Sequence, residues 1–150
     1  MTSPSRACLP AAVKLLAARD HSEQELRRKL LRRYGGEETD AALAVLKARG
    51  YLNDDYLAGR LAARYIEDGQ HGRLGIRRRL MERGLSKTAV DAALAGYDPS
   101  GEYDRAIALA ARRFPRATAA DAPKVGRFLA ARGFDGETVL AVLRHAYGYD

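Results

Sequence analysis

Arginine is the residue through which this sequence can act on another molecule. It does so by charge and by a planar fork of donors that fits phosphate or carboxylate, not by proton transfer. Of 26 basic residues, 21 are Arg, and the formal net charge is +7 with a pI near 9.8. The Arg residues cluster. RRKLLRR, residues 27–33, carries five cations and no acid, and RRRLMER, residues 77–83, carries four cations against one Glu. Faces that only solvate a helix mix signs, because opposite charges three or four positions apart attract. One-signed runs point instead to an acidic partner, such as nucleic acid or an acidic protein groove. A codon bias towards Arg and Ala would also raise the Arg count, but it would not set spacing. The candidate contact residues are Arg27, Arg28, Lys29, Arg32 and Arg33, then Arg73, Arg77, Arg78, Arg79 and Arg83, and finally Arg127.

Other chemistries are poorly provided for. The single cysteine, Cys8, excludes an internal disulfide, and His21, His71 and His145 are scattered, so no metal-ligand spacing is expected. There is no phosphate-binding Gly-rich loop and no nucleophile motif. GRLGIR, residues 72–77, has two glycines and opens an amphipathic helix. No enzyme, cofactor or metal is expected. No apolar run approaches the roughly 18 residues of a membrane helix, and MTSPSRAC at the start lacks an apolar signal core. A cytoplasmic protein without membrane attachment is the resulting expectation.

The elements that must position the arginines read as helices. Val and Ile are sparse while Ala, Leu, Arg and Glu abound. The first helix runs from about Pro10 to Arg19. Ser22 and Glu25 form a capping box for the second, which stops near Tyr34–Gly36. A third runs from about Thr39 to Arg49. Asn53 or Asp54 caps the fourth, which ends near Asp68. Helices five and six end at Gly84 and near Gly96, with Ser86 capping the sixth. After a turn at 98–101 the seventh ends before Pro115, and the last two begin near Asp121 and Asp135.

These nine helices fall into three triplets of nearly one period. LAAR recurs at Leu16–Arg19, Leu61–Arg64 and Leu109–Arg112, where it is read as closing each first helix; a fourth copy at Leu129–Arg132 lies in a second helix. The second helices align as LRRKL (26–30), IRRRL (76–80) and VGRFL (125–129), and the third as AALAVL (41–46), AVDAAL (89–94) and TVLAVL (138–143). The expected fold is therefore all-α, with three tandem three-helix units over residues 9–52, 53–98 and 99–149 forming an elongated, curved helical-repeat body. On a helical wheel Leu26 and Leu30, Ile76 and Leu80, and Val125 and Leu129 face inward. Arg28, Arg78 and Arg127 then share one outward slot, and Arg27 and Arg77 lie beside the apolar stripe. The three units can cover one another's apolar faces, so a monomer is expected.

RDHSEQELRRKLLRRYG (19–35), VLKARGYLNDDYLA (45–58) and GRLGIRRRLMERGLS (72–86), in that order, resemble the RecX family of bacterial RecA regulators. The matching positions are Ser22, Glu25, Leu26, Gly50, Tyr51, Leu52, Asn53, Asp54, Gly72, Ile76, Leu80 and Gly84; the third unit matches least, with Gly126 where the other two have Arg. The resemblance implies a protein that lies in the groove of the RecA–DNA filament and lowers strand exchange, ATP hydrolysis and cleavage of the SOS repressor. It brings no catalytic residues. The implied partners are the RecA filament and single- or double-stranded DNA bound without sequence preference. Two alternatives remain: a stand-alone DNA-binding protein using the second-helix arginines, and a helical scaffold for another protein.

Overall fold

The computed structural model describes residues 7–149; the polar leader MTSPSR, read above as lacking a signal core, lies outside the described residues. Among the described residues there are nine α-helices, two short 3-10 turns and no strand. The helices are α1 (Cys8–Ala18), α2 (Glu23–Leu31), α3 (Gly36–Ala48), α4 (Asp54–Asp68), α5 (Arg73–Glu82), α6 (Lys87–Leu94), α7 (Glu102–Arg113), α8 (Ala122–Ala131) and α9 (Gly136–Tyr147). The 3-10 turns, Pro99–Gly101 and Ala119–Asp121, lead into α7 and α8.

Four of the nine described α-helices start at a short polar side chain that accepts a free first-turn N–H. Ser22 accepts from Glu25 N–H at 3.1 Å while the Glu25 carboxylate accepts from Ser22 N–H at 2.9 Å, the expected capping box. Asn53, rather than Asp54, caps α4 by accepting from Tyr56 N–H, and Ser86 and Asp135 do the same for α6 and α9. Two boundaries differ from the sequence reading. Gly35 has extended backbone (φ −69°, ψ 164°) and acts as the N-cap of α3, so the Gly pair starts a helix that was expected to begin at Thr39. The LAAR copy at Leu61–Arg64 does not close its helix: α4 continues another turn to Asp68, because nothing in RYIED breaks it.

The chain divides into two compact units. Unit 1 comprises residues up to Arg60 together with Leu80–Ala92, and unit 2 comprises Leu61–Arg79 with the residues from Ala93 onward. In unit 1, Cys8 and Ala12 of α1, Leu26 and Leu30 of α2, and Ala42, Leu43 and Leu46 of α3 form one buried cluster with Leu52. In unit 2, Ala106, Leu109 and Ala110 of α7 pack with Val125 and Leu129 of α8, Phe134, and Val139, Val142 and Leu143 of α9. Both clusters are built from the stripes that the 3.6-residue period places on one face.

Unit 2 also contains an unusually close backbone approach. The first turn of α5 has N–H groups with no partner inside the helix. Gly72 N–H donates to the Arg132 carbonyl at 3.0 Å, and Leu74 N–H donates to the Gly133 carbonyl at 3.1 Å. Arg73 N–H donates to Oε1 of Glu102, a buried carboxylate at the start of α7. The C-terminal end of α8 thus caps the N-terminal end of α5, the negative pole of one helix meeting the positive pole of the other. Glycine makes this approach possible. A Cβ at Gly75 would lie 2.2 Å from the Arg132 carbonyl oxygen, and one at Gly72 would lie 2.6 Å from the Gly133 oxygen. Gly133 itself has φ +85°, a left-handed turn that ends α8.

Candidate functional site

The candidate cations separate into those used by the fold and those presented to solvent. On α2 in unit 1, Arg27 is half-buried beside the apolar stripe and pairs with Asp40 and, at 3.5 Å, with Glu23. Lys29 is also half-buried, its Nζ 2.8 Å from Nε2 of His21. His21 is buried, and its Nδ1 is 2.9 Å from the Arg19 carbonyl, which makes Nδ1 the donor and leaves Nε2 to accept. Burial, followed by the nearby Lys29 and Arg19 charges, keeps its pKa below the usual histidine value despite the Arg19 carbonyl. By contrast Arg28, Arg32 and Arg33 are exposed and make no ion pair or side-chain hydrogen bond with a described residue. Arg32 and Arg33 follow the last residue of α2 and extend its outward row.

Arg83, also in unit 1, is a tie rather than a free cation. Its Nε pairs with Glu25 at 3.0 Å and Nη2 donates to the Asp20 carbonyl at 3.1 Å. The Arg83 carbonyl accepts from the Ser22 hydroxyl, so the N-cap of α2 and the end of α5 are joined through backbone and side chain together. Burial pushes the Glu25 carboxyl up, but hydrogen bonds from Arg83 and Ser22 N–H, with the Arg83 and Arg19 charges, outweigh it and hold the pKa below the usual carboxylate range. Because the folded pKa is depressed, its contribution to stability is present above the unfolded value of about 4.3 and lost as pH falls through the folded value. The Tm difference between the parent chain and Glu25→Gln is expected to be largest near neutrality and to shrink towards zero near pH 3. A difference that stays constant across this range in differential scanning fluorimetry would assign the loss to shape rather than charge.

In unit 2, Arg73, Arg78 and Arg127 are exposed. Arg78 reaches the Ala131 carbonyl only at 3.5 Å, while Arg73 and Arg127 make no side-chain bond with a described residue. Arg79 is exposed but oriented by His71, whose Nε2 accepts from its Nε at 3.1 Å. Arg77 is half-buried and engaged. The outward positions Arg28, Arg78 and Arg127 are therefore all exposed, and Arg27 and Arg77 both flank the buried stripe.

Several residues escaped the sequence reading. His71, noted there only as one of three scattered histidines, lies just before α5, positions Arg79 and meets Tyr65 edge-on. Asp54, read as a cap of its own helix, accepts from Glu23 N–H at 2.9 Å and so supports the start of α2. A second basic group, Arg113, Arg116, Lys124 and Arg132, surrounds Phe114 and Phe128. RRFPR and the interleaving of cations with Phe in PKVGRFLAAR were its only signal. Among the described residues no group of His, Cys, Asp and Glu could hold a metal, and no helix is long and apolar enough to cross a membrane.

Comparison with known proteins agrees across sequence and structure. The family model for RecX, first three-helix domain, matches residues 8–51. The regulatory protein RecX of Leptothrix cholodnii is 37% identical over 93% of this chain and 90% of its own length. That of Acidithiobacillus ferrooxidans is 38% identical over 88% of this chain and 85% of its own. The crystal structure of RecX from Lactobacillus salivarius superposes with a TM-score of 0.79 at 18% identity, covering 91% of this chain and 92% of that one. At that identity it speaks for the fold alone.

Proposed function

The chain belongs to the RecX family, and from that premise we propose that it is a cytoplasmic regulator that binds the RecA–DNA filament and inhibits strand exchange, ATP hydrolysis and SOS repressor cleavage. The observation that carries the reading is the set of exposed arginines that form no ion pair with a described residue: Arg28, with Arg32 and Arg33 just after α2, then Arg73 and Arg78 on α5, then Arg127 on α8. Guanidinium groups held on rigid helices meet phosphate or carboxylate with little loss of rotational freedom in the scaffold. A regulator built this way works by occupancy and needs no catalytic group. We take the repeat as three three-helix units, 9–52, 53–98 and 99–149, acting as one monomer. Each unit offers a few weak contacts, and tethering converts them into a strong one.

The test is RecA ATPase on single-stranded DNA with increasing amounts of this protein. Turnover is expected to fall, and the Arg28→Ala, Arg32→Ala, Arg33→Ala triple variant should raise the half-inhibitory concentration about tenfold, equivalent to about 1.4 kcal/mol. Unchanged turnover and filament length at stoichiometric excess of the parent chain would overturn the proposal.

A further inference from the structure

Residues 112–127 hold five cations, Arg112, Arg113, Arg116, Lys124 and Arg127, and one acid, Asp121. The acid is committed elsewhere: its carboxylate accepts from Thr118 N–H at 2.9 Å and closes a capping box. None of the five cations forms an ion pair with a described residue. Two of them, Arg113 and Lys124, lie over aromatic rings instead, as does Arg132 just beyond this stretch. Phe114, just after α7, and Phe128, on α8, meet edge to face with centroids 5.3 Å apart. The Arg113 guanidinium lies 5.0 Å from the Phe114 centroid and 6.0 Å from that of Phe128, Lys124 Nζ lies 5.6 Å from Phe114, and Arg132 lies 5.0 Å from Phe128. Beside them Arg116, Lys124, Phe114, Pro115, Ala117 and Asp121 line an open cleft of about 280 Å³, with two cations against the one carboxylate, which also holds the Thr118 N–H.

Ring faces attract cations through their quadrupole, but they carry no net charge. Cations collected on rings therefore keep their full positive charge, unlike Arg27 or Arg83, whose charges are met by carboxylates. Like charges brought this close favour an anion that contacts several at once. The rings are covered by the cations, so stacking of a base on them is not the mode of recognition. An acidic protein partner would need an apolar anchor pocket beside its carboxylates, and the apolar wall here is the ring that already carries Lys124.

We propose that Arg113 and Lys124, held over Phe114 and Phe128, together with Arg116 of the adjoining cleft, form a sequence-independent binding site for the phosphate backbone of nucleic acid. It is separate from the second-helix arginines expected from sequence. The proposal deepens the DNA part of the function above but does not depend on RecA.

Fluorescence anisotropy of a labelled thirty-nucleotide oligothymidylate, and of a duplex of equal length, across a NaCl series without RecA tests it. Each lost phosphate contact lowers the log–log salt slope by roughly 0.7 for a single strand and 0.9 for duplex. The Arg113→Gln, Arg116→Gln, Lys124→Gln variant is expected to lower the single-strand slope by about 2. Arg116 makes no ring contact, so Arg116→Gln alone, a change that leaves the ring cluster intact, should lower it by about 0.7. An unchanged slope in both variants with unaltered circular dichroism overturns the proposal, as does failure of the parent chain to bind either probe. Competition by polyglutamate as effective as oligothymidylate at equal charge overturns it in favour of an acidic protein partner. RecA ATPase run on the same proteins separates the two readings. Inhibition without a slope change removes this site alone, and a slope change without inhibition removes the filament reading alone.

Discussion

Gly75→Ala is expected to destabilise the chain by about 3 kcal/mol or more, lowering Tm by roughly 6–12 °C. The added methyl would sit 2.2 Å from the Arg132 carbonyl oxygen and 2.9 Å from its carbon, and these are backbone atoms that cannot rotate away. Relief requires α5 to withdraw from the end of α8. That withdrawal breaks the Gly72 and Leu74 hydrogen bonds and leaves buried N–H and C=O groups unpaired, at about 1–3 kcal/mol each. Gly136→Ala is the matched control. Like Gly75 it lies in the first turn of a helix, here α9, but its Cβ would meet nothing within 4 Å. Alanine there should be neutral or stabilising by up to about 1 kcal/mol. Calorimetry on the two variants decides the matter, and equal Tm values would mean that the close approach contributes nothing.

The second large effect concerns the repeated second helices. Leu30, Leu80 and Leu129 occupy equivalent positions and are 1%, 0% and 0% exposed. Leu30→Ala and Leu129→Ala are each expected to lose about 2–5 kcal/mol, from the missing apolar contacts and the cavity left behind. Arg28→Ala and Arg127→Ala, on the opposite faces of the same helices, should change stability by no more than about 0.5 kcal/mol. Urea unfolding of the four variants separates a face that holds the fold from one that meets a partner. A large loss on removing Arg28 or Arg127 would contradict the assignment of those side chains to binding.

What could be read from the sequence was what is decided locally. The Ser22–Glu25 capping box closes within four residues, and the buried faces follow from helical period, so both were legible. The Arg83–Glu25 pair and the Asp54 carboxylate at Glu23 N–H join positions 58 and 31 apart, and no local pattern announces such a partner. Hence Arg27, Lys29, Arg79 and Arg83 counted among the candidate contacts although the fold uses them itself. Gly35–Gly36 misled for a different reason. Glycine is compatible with either end of a helix, and only the backbone angles distinguish an N-cap from a stop.

The capping of α5 by the end of α8 also imposes an order in time. Gly72 and its acceptor, Arg132, are 60 positions apart. At a synthesis rate of about 5–20 residues per second, Arg132 is made roughly 3–12 s after Gly72. During that interval the opening turn of α5 has no acceptor for its amides, and unit 2 cannot close on the ribosome until nearly all of it has been translated.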